Sequence, residues 1–200
     1  GLTYGFAADA VLTAAASRAA GGMDFFYIAY NQDMTREFID YCGEFTKAFD
    51  QAASAPAEFL FDDGSESGIK AFRIDFPSGV VLIDEAAFHD QLDELLKAAI
   101  ALLMWGGRVI VISTHDGADN PFNTLIEDIR AGKRKGCVHR ITLKEALAQG
   151  LYKRICLRTG KTWTPEAESL WEAELRATYG EAAEEELDVI PARGSGVYLP

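Results

Sequence analysis

Val80-Val81-Leu82-Ile83 runs straight into Asp84-Glu85, and this junction limits the chain more than any other stretch. Four apolar residues in succession, three of them β-branched, leave no side of a strand for water. Such a run belongs to a strand covered on both faces, as at the centre of a parallel sheet. Neighbouring side chains on a strand point to opposite faces. At the strand's C-terminal edge the backbone turns, and both acids can then address one crevice. There Asp84 can hold Mg²⁺, because hard cations take oxygen ligands, and Glu85 can polarise a water for attack on a phosphate. The plainer alternative is a buried strand that ends in two solvated acids.

The 200 residues make one large domain or a domain with an appendage, and 48% hydrophobic residues suffice for a packed core. No apolar run reaches the roughly 18 residues of a membrane-spanning helix. The Ala-rich opening from Gly5 to Ala20 carries Asp9 and Arg18 without a basic leader, so it does not read as a signal peptide. Cys42, Cys137 and Cys156 lack metal-ligand spacing, with Cys137-Val138-His139 the one near-pair, and reduced thiols are expected. A net charge of −12 argues against nonspecific nucleic-acid binding by the whole surface. The charge is uneven: Arg130, Lys133, Arg134, Lys135, Arg140 and Lys144 crowd one segment, and Glu181, Glu184, Glu185, Glu186 and Asp188 another.

In chain order, Gly1-Leu2-Thr3 precedes Ala-rich helix material closed by Gly21-Gly22. Phe25 to Tyr30 reads as a buried strand. Asn31 can cap a helix to about Ala53, whose Met34, Phe38, Tyr41, Phe45 and Phe49 share one face. Glu58 to Phe61 and Ile69 to Phe76 read as strands around a turn-rich loop. After the Asp-Glu strand, Asp90 to Trp105 reads as a helix, Val109 to Ile112 as a buried strand, and Pro121 to about Ala131 as a helix. Val138 to Ile141 reads as a strand, and Thr142 to Glu145 has capping-box spacing. Helices are expected from near Tyr152 and from Thr164-Pro165 to Gly180, followed by an acidic exit segment or linker.

Strands alternating with helices predict an α/β domain with a mostly parallel sheet. Ligands bind beyond the C-terminal strand ends of such sheets. Asp84-Glu85 and Ser113-Thr114-His115 both stand at such ends, which favours a nucleotide site. Four hydrophobic residues followed by Asp-Glu is the Walker B pattern.

The sequence resembles the ATPase domain of phage large terminase subunits, in particular the Mu-like prophage branch. The resemblance rests on Tyr30-Asn31-Gln32-Asp33-Met34, Asp84 to Asp90, Ile112 to His115, Asp119 to Asn123, and Gly194-Ser195-Gly196, an ordered set spanning most of the chain. It implies a three-layer P-loop NTPase-type fold with an extra strand between Walker A and Walker B. An ATPase core would occupy residues 1–160, and a helical appendage and linker toward a separate nuclease domain residues 161–200. Gly1, Leu2 and Thr3 would be the tail of a degenerate Walker A, with Leu2 in the place of the usual lysine. Thr3 and Asp84 would be the Mg²⁺ ligands, Glu85 the catalytic base, and Ser113, Thr114 and His115 the motif that senses the γ-phosphate of ATP. The implied partners are double-stranded viral DNA, the portal or procapsid, the small terminase subunit and further copies in a ring. The implied place is the bacterial cytoplasm, transiently at the procapsid, with no membrane. No nuclease activity is expected of this chain.

Two departures qualify that picture. Leu2 leaves open a non-catalytic α/β scaffold with a degenerate P-loop, and the Asp-Glu logic is shared by helicase-type motors. Pro77-Ser78-Gly79 is also too short to link two parallel strands, which need a crossover of about a dozen residues or more. Either a deletion has occurred here, which a normal bond and a tight hairpin would show, or the chain is interrupted between Gly79 and Val80, the stronger expectation. Plain structural roles suit His89 (capping or packing), His139 and the Phe25 to Tyr30 aromatics (core). His115 divides between loop structure and sensing. The basic segment divides between a solvated face and contact with DNA or a neighbouring subunit.

Overall fold

The computed structural model describes residues 2–52, 69–72 and 79–193. Gly1, the expected strand at Glu58 to Phe61 and the Gly194-Ser195-Gly196 motif lie outside those residues. The chain forms two compact units, Gly1–Ser113 and Thr114–Pro200.

The first unit is α/β. Helix α1 (Leu2–Ala15) leads through a 3₁₀ turn to strand β1 (Asp24–Ile28). Helix α2 (Gln32–Ala52) starts where Asn31 Oδ1 accepts the Met34 amide at 3.0 Å, the expected cap. Strands β2 (Ile69–Phe72), β3 (Gly79–Ile83) and β4 (Arg108–Val111) complete a sheet of order β2-β1-β3-β4. β1, β3 and β4 are parallel, and β2 is the antiparallel edge. Helix α3 (Leu92–Ala101) with a following 3₁₀ turn connects β3 to β4.

Every residue of β3 is buried, as an unbroken apolar run requires. Val80 and Leu82 join Ala7, Ala10, Val11 and Ala14 of α1, Phe25 and Tyr27 of β1, and Phe38 and Cys42 of α2 in one core cluster. The alternation of strand side chains turns Val81 and Ile83 to the opposite face. Burial pushes the Cys42 thiol up to about 12.

The expected break after Gly79 is not found. Gly79 is the first residue of β3, paired with Asp24, and Val80 follows it in register with Phe25. A Cβ at Gly79 would stand 2.7 Å from the Phe26 ring, so the strand opens on glycine for want of space. No hairpin joins β2 to β3 either, because β1 lies between them. Phe72 and Gly79 both stand at the Asp24–Phe25 end of β1, two strand spacings or about 10 Å apart. Antiparallel strands separated by a third need no dozen-residue crossover, so a short linker suffices here.

In the second unit the described elements are helices: α4 (Pro121–Arg130), α5 (Leu143–Ala148), α6 (Leu151–Thr159), α7 (Pro165–Tyr179) and α8 (Ala183–Glu186). Their starts follow local capping chemistry. Asn120 accepts from the Phe122 amide, Thr142 and Glu145 form the reciprocal capping box, and Thr164 accepts from the Ala167 amide. Leu147, Tyr152 and Cys156 form a small core with Trp163 and Trp171 against it. Val138 to Ile141 forms no strand. Among the described residues this unit offers no second strand to share its backbone hydrogen bonds, and an unpaired strand is not stable in water. Ile141 is exposed, and the Arg140 guanidinium donates to the Asp188 carbonyl.

The acidic segment after Gly180 is tied down as far as Ala192. Glu185 accepts the Gly117 and Ala192 amides at 2.7 and 3.0 Å. Asp188 takes two bonds of 2.8 Å from Arg176, which hold its carboxyl below the usual range. Among the described residues no helix is long and apolar enough to cross a membrane.

Candidate active site

Asp84 follows the last residue of β3, and its amide continues the ladder by donating to the Ile28 carbonyl at 2.8 Å. The residue is 2% exposed, so its carboxylate depends on protein donors. Three serve it. The Thr3 hydroxyl, from the first turn of α1, donates to Oδ2 at 2.9 Å across 81 residues of sequence. The Tyr27 hydroxyl, from β1, donates to the same oxygen at 2.8 Å. The Glu85 amide donates to Oδ1 at 3.0 Å.

That last bond goes with an uncommon backbone. Glu85 has φ 50° and ψ 46°, the left-handed region, which costs an L-residue roughly 1–2 kcal/mol. Strain of this kind persists where surrounding structure over-determines it, most often at functional sites. The surroundings are visible here. The Ala86 amide donates to the Ile112 carbonyl at 3.1 Å, and the Ala87 amide to the Ser113 hydroxyl at 3.1 Å. His89 meets the Asp84 carbonyl through Nε2 at 3.1 Å, with its ring edge-on to Tyr30. The turn after β3 is thus fastened to the end of β4, and His89 has the packing role the sequence suggests.

A cleft of about 150 Å³ opens beside Thr3 and Tyr27, lined further by Tyr4, Met34, Glu37 and Tyr41. Tyr27 is wholly buried, its ring parallel to Phe38 at 3.8 Å. Burial, then the Asp84 charge, push its phenol far above the ordinary value, so it remains a donor. The core reading of the Phe25 to Tyr30 aromatics therefore holds for Phe25 and Tyr27, fails for the exposed Tyr30, and misses this hydroxyl. Its signal was available: a tyrosine at a fully buried strand position needs a polar partner.

Thr3, Asp84, Glu85 and Ser113 are brought together in the first unit. Leu2 is exposed at the start of α1. Thr114 and His115 belong to the second unit. His115 is 6% exposed, packs on Phe122 with ring centres 5.7 Å apart, and keeps Nδ1 without a hydrogen-bond partner among the described residues. Burial lowers its pKa, opposed by Glu185 and assisted by Arg130 and Arg140.

Among the described residues no three His, Cys, Asp or Glu side chains converge as a metal-binding group. One carboxylate and one hydroxyl are an all-oxygen donor set too small for a closed protein cage. They fit a cation such as Mg²⁺, which keeps waters and completes its shell with phosphate oxygens.

No protein-family model matches the chain, and no solved structure matches it. Two curated proteins do, each over the whole of it. The "Mu-like prophage FluMu protein gp28" of Haemophilus influenzae is 46% identical over 221 positions, and the "Probable terminase, large subunit gp28" of Escherichia phage Mu is 43% identical over 222. Both spans exceed the 200 residues here, so each relative carries residues with no counterpart in this chain. The chain spans 43% and 40% of those proteins' lengths, less than half of either. Along its whole length, therefore, the chain is similar to part of the Mu-like phage large terminase subunits named gp28, at 43–46% identity.

Proposed function

We propose that this chain is the ATP-hydrolysing motor part of a large terminase subunit that packages viral DNA, built as a P-loop NTPase. The observation that carries the reading is the Thr3–Asp84 bond at the C-terminal end of β3. A hydroxyl has one hydrogen and two lone pairs. Thr3 commits its hydrogen to Asp84, which leaves its lone pairs for a metal. Thr3 and Asp84 would hold Mg²⁺, which when bound neutralises phosphate charge. Glu85, at the turn, orients and deprotonates the attacking water. Ser113 braces that turn, and Thr114 with His115 form the γ-phosphate sensor. Residues 1–160 make the ATPase core and 161–200 its appendage. Gly1 and Leu2 contribute to the phosphate loop. The partners are double-stranded DNA, portal or procapsid, small terminase subunit and further copies in a ring, in the host cytoplasm. DNA cleavage is assigned to no residue of this chain.

The exposed, uncharged Leu2 favours a second reading, a scaffold without turnover. Steady-state ATP hydrolysis and nucleotide titrations on two variants of the full-length protein separate the two. Asp84→Ala should lower both metal-dependent affinity and turnover. Glu85→Gln should bind ATP and lose about 10²–10⁴-fold in turnover, the usual worth of a general base. Hydrolysis by Glu85→Gln at the parent rate removes Glu85 as the base, and a parent without ATP turnover leaves the scaffold.

A further inference from the structure

We infer that Tyr27 is a positioning residue for the metal-binding pair: its hydroxyl fixes the Asp84 carboxylate so that Thr3 is held with its lone pairs available to a divalent cation. This rests on the nucleotide reading above and adds to it a residue outside the expected motifs. The geometry comes from the sheet. Tyr27 pairs with Leu82 in the parallel ladder between β1 and β3, two residues before Asp84, and its phenol reaches along the sheet to Oδ2. The ring cannot swing away, because it is stacked on Phe38 and fully buried. A carboxylate with donors on both oxygens has one rotamer, and with it one position for the Thr3 hydroxyl on Oδ2. The cleft is lined by Thr3 and Tyr27, so the half-buried Thr3 stands next to open space. Tyr41 lines the same cleft, but its hydroxyl donates to Glu37. It is the natural control.

Tyr27→Phe keeps the ring and removes the hydroxyl. In the full-length protein it should raise the Mg²⁺ concentration for half-maximal ATP hydrolysis on the order of 10-fold, the usual cost of losing a partner that orients a metal ligand. Mn²⁺ binding followed by electron paramagnetic resonance, with a non-hydrolysable ATP analogue, should weaken by a similar factor. Tyr41→Phe should leave both unchanged. Equal metal dependence in the parent and Tyr27→Phe overturns the inference, as does an equal shift in Tyr41→Phe. Should Tyr27→Phe lose its cooperative melt, 3-fluorotyrosine at position 27 decides instead. It is a stronger donor of nearly the same shape, so it should lower the Mg²⁺ requirement, and no change counts against the inference. A parent that binds neither Mn²⁺ nor nucleotide overturns the nucleotide reading and this inference with it.

Discussion

Replacing Glu85 by glycine should leave the protein more stable than replacing it by alanine, and both replacements should leave it inactive. Glu85 holds φ 50° and ψ 46°. Alanine at that position keeps the left-handed penalty of roughly 1–2 kcal/mol, whereas glycine escapes it. Glycine's larger freedom in the unfolded chain takes back about 0.5–1 kcal/mol. Both variants lack the carboxylate and whatever it touches, so their difference isolates the backbone. The glycine variant should therefore exceed the alanine variant by about 0.5–1 kcal/mol, or about 1–4 °C in Tm for a chain of this size. Both should lose about 10²–10⁴-fold in ATP turnover. Thermal unfolding by circular dichroism, run beside steady-state hydrolysis, reads both quantities. If Glu85→Gly melts at or below Glu85→Ala, the left-handed turn stores no strain. If either variant hydrolyses ATP at the parent rate, the strain serves something other than a general base.

Two further outcomes concern the second unit. Burial lowers the His115 pKa, so the folded state takes up that proton at lower pH than the unfolded chain does. Its contribution to stability is complete above about pH 6.5 and is lost as pH falls from there through the folded value. His115→Gln should flatten the fall in Tm over that range, and parallel Tm–pH curves for parent and variant would refute it. In the basic segment, Lys133 and Arg134 share Asp128 at 3.2 and 3.8 Å. Exposed pairs of this kind are weak and exchange readily for phosphate. Replacing Lys133, Arg134 and Lys135 by glutamine should weaken DNA binding at every sequence alike and flatten the salt slope by about 0.9 for each phosphate no longer neutralised. An unchanged slope leaves a solvated face.

What the sequence shows of this protein divides by distance along the chain. β3 with its two acids is legible because an unbroken apolar run allows one environment. The caps at Asn31, Thr142 and Thr164 are legible because partners three residues away are fixed by helix geometry. Periodicity places Phe38 on the buried face of α2 for the same reason. The partners of Asp84 are another matter. Tyr27 and Thr3 stand 57 and 81 residues away, and no local pattern says which hydroxyl meets which carboxylate. Thr3 comes into view through a resemblance, whereas Tyr27 does not, because its burial alone accounts for an aromatic in a strand. The misreadings share one cause, a stretch taken without its neighbour. Val138 to Ile141 has the composition of a strand and nothing to pair with. Ile69 and Val80 begin apolar stretches close in sequence, yet β1 separates their strands. The acidic run near the end has a linker's charge, yet Glu185 caps two amides and Asp188 answers Arg176. A carboxylate's role depends on the donors that the fold brings to it. Asp84 accepts from three donors in the first unit, and Glu185 and Asp188 accept from amides and a guanidinium in the second, although all are acids in a chain of net charge −12.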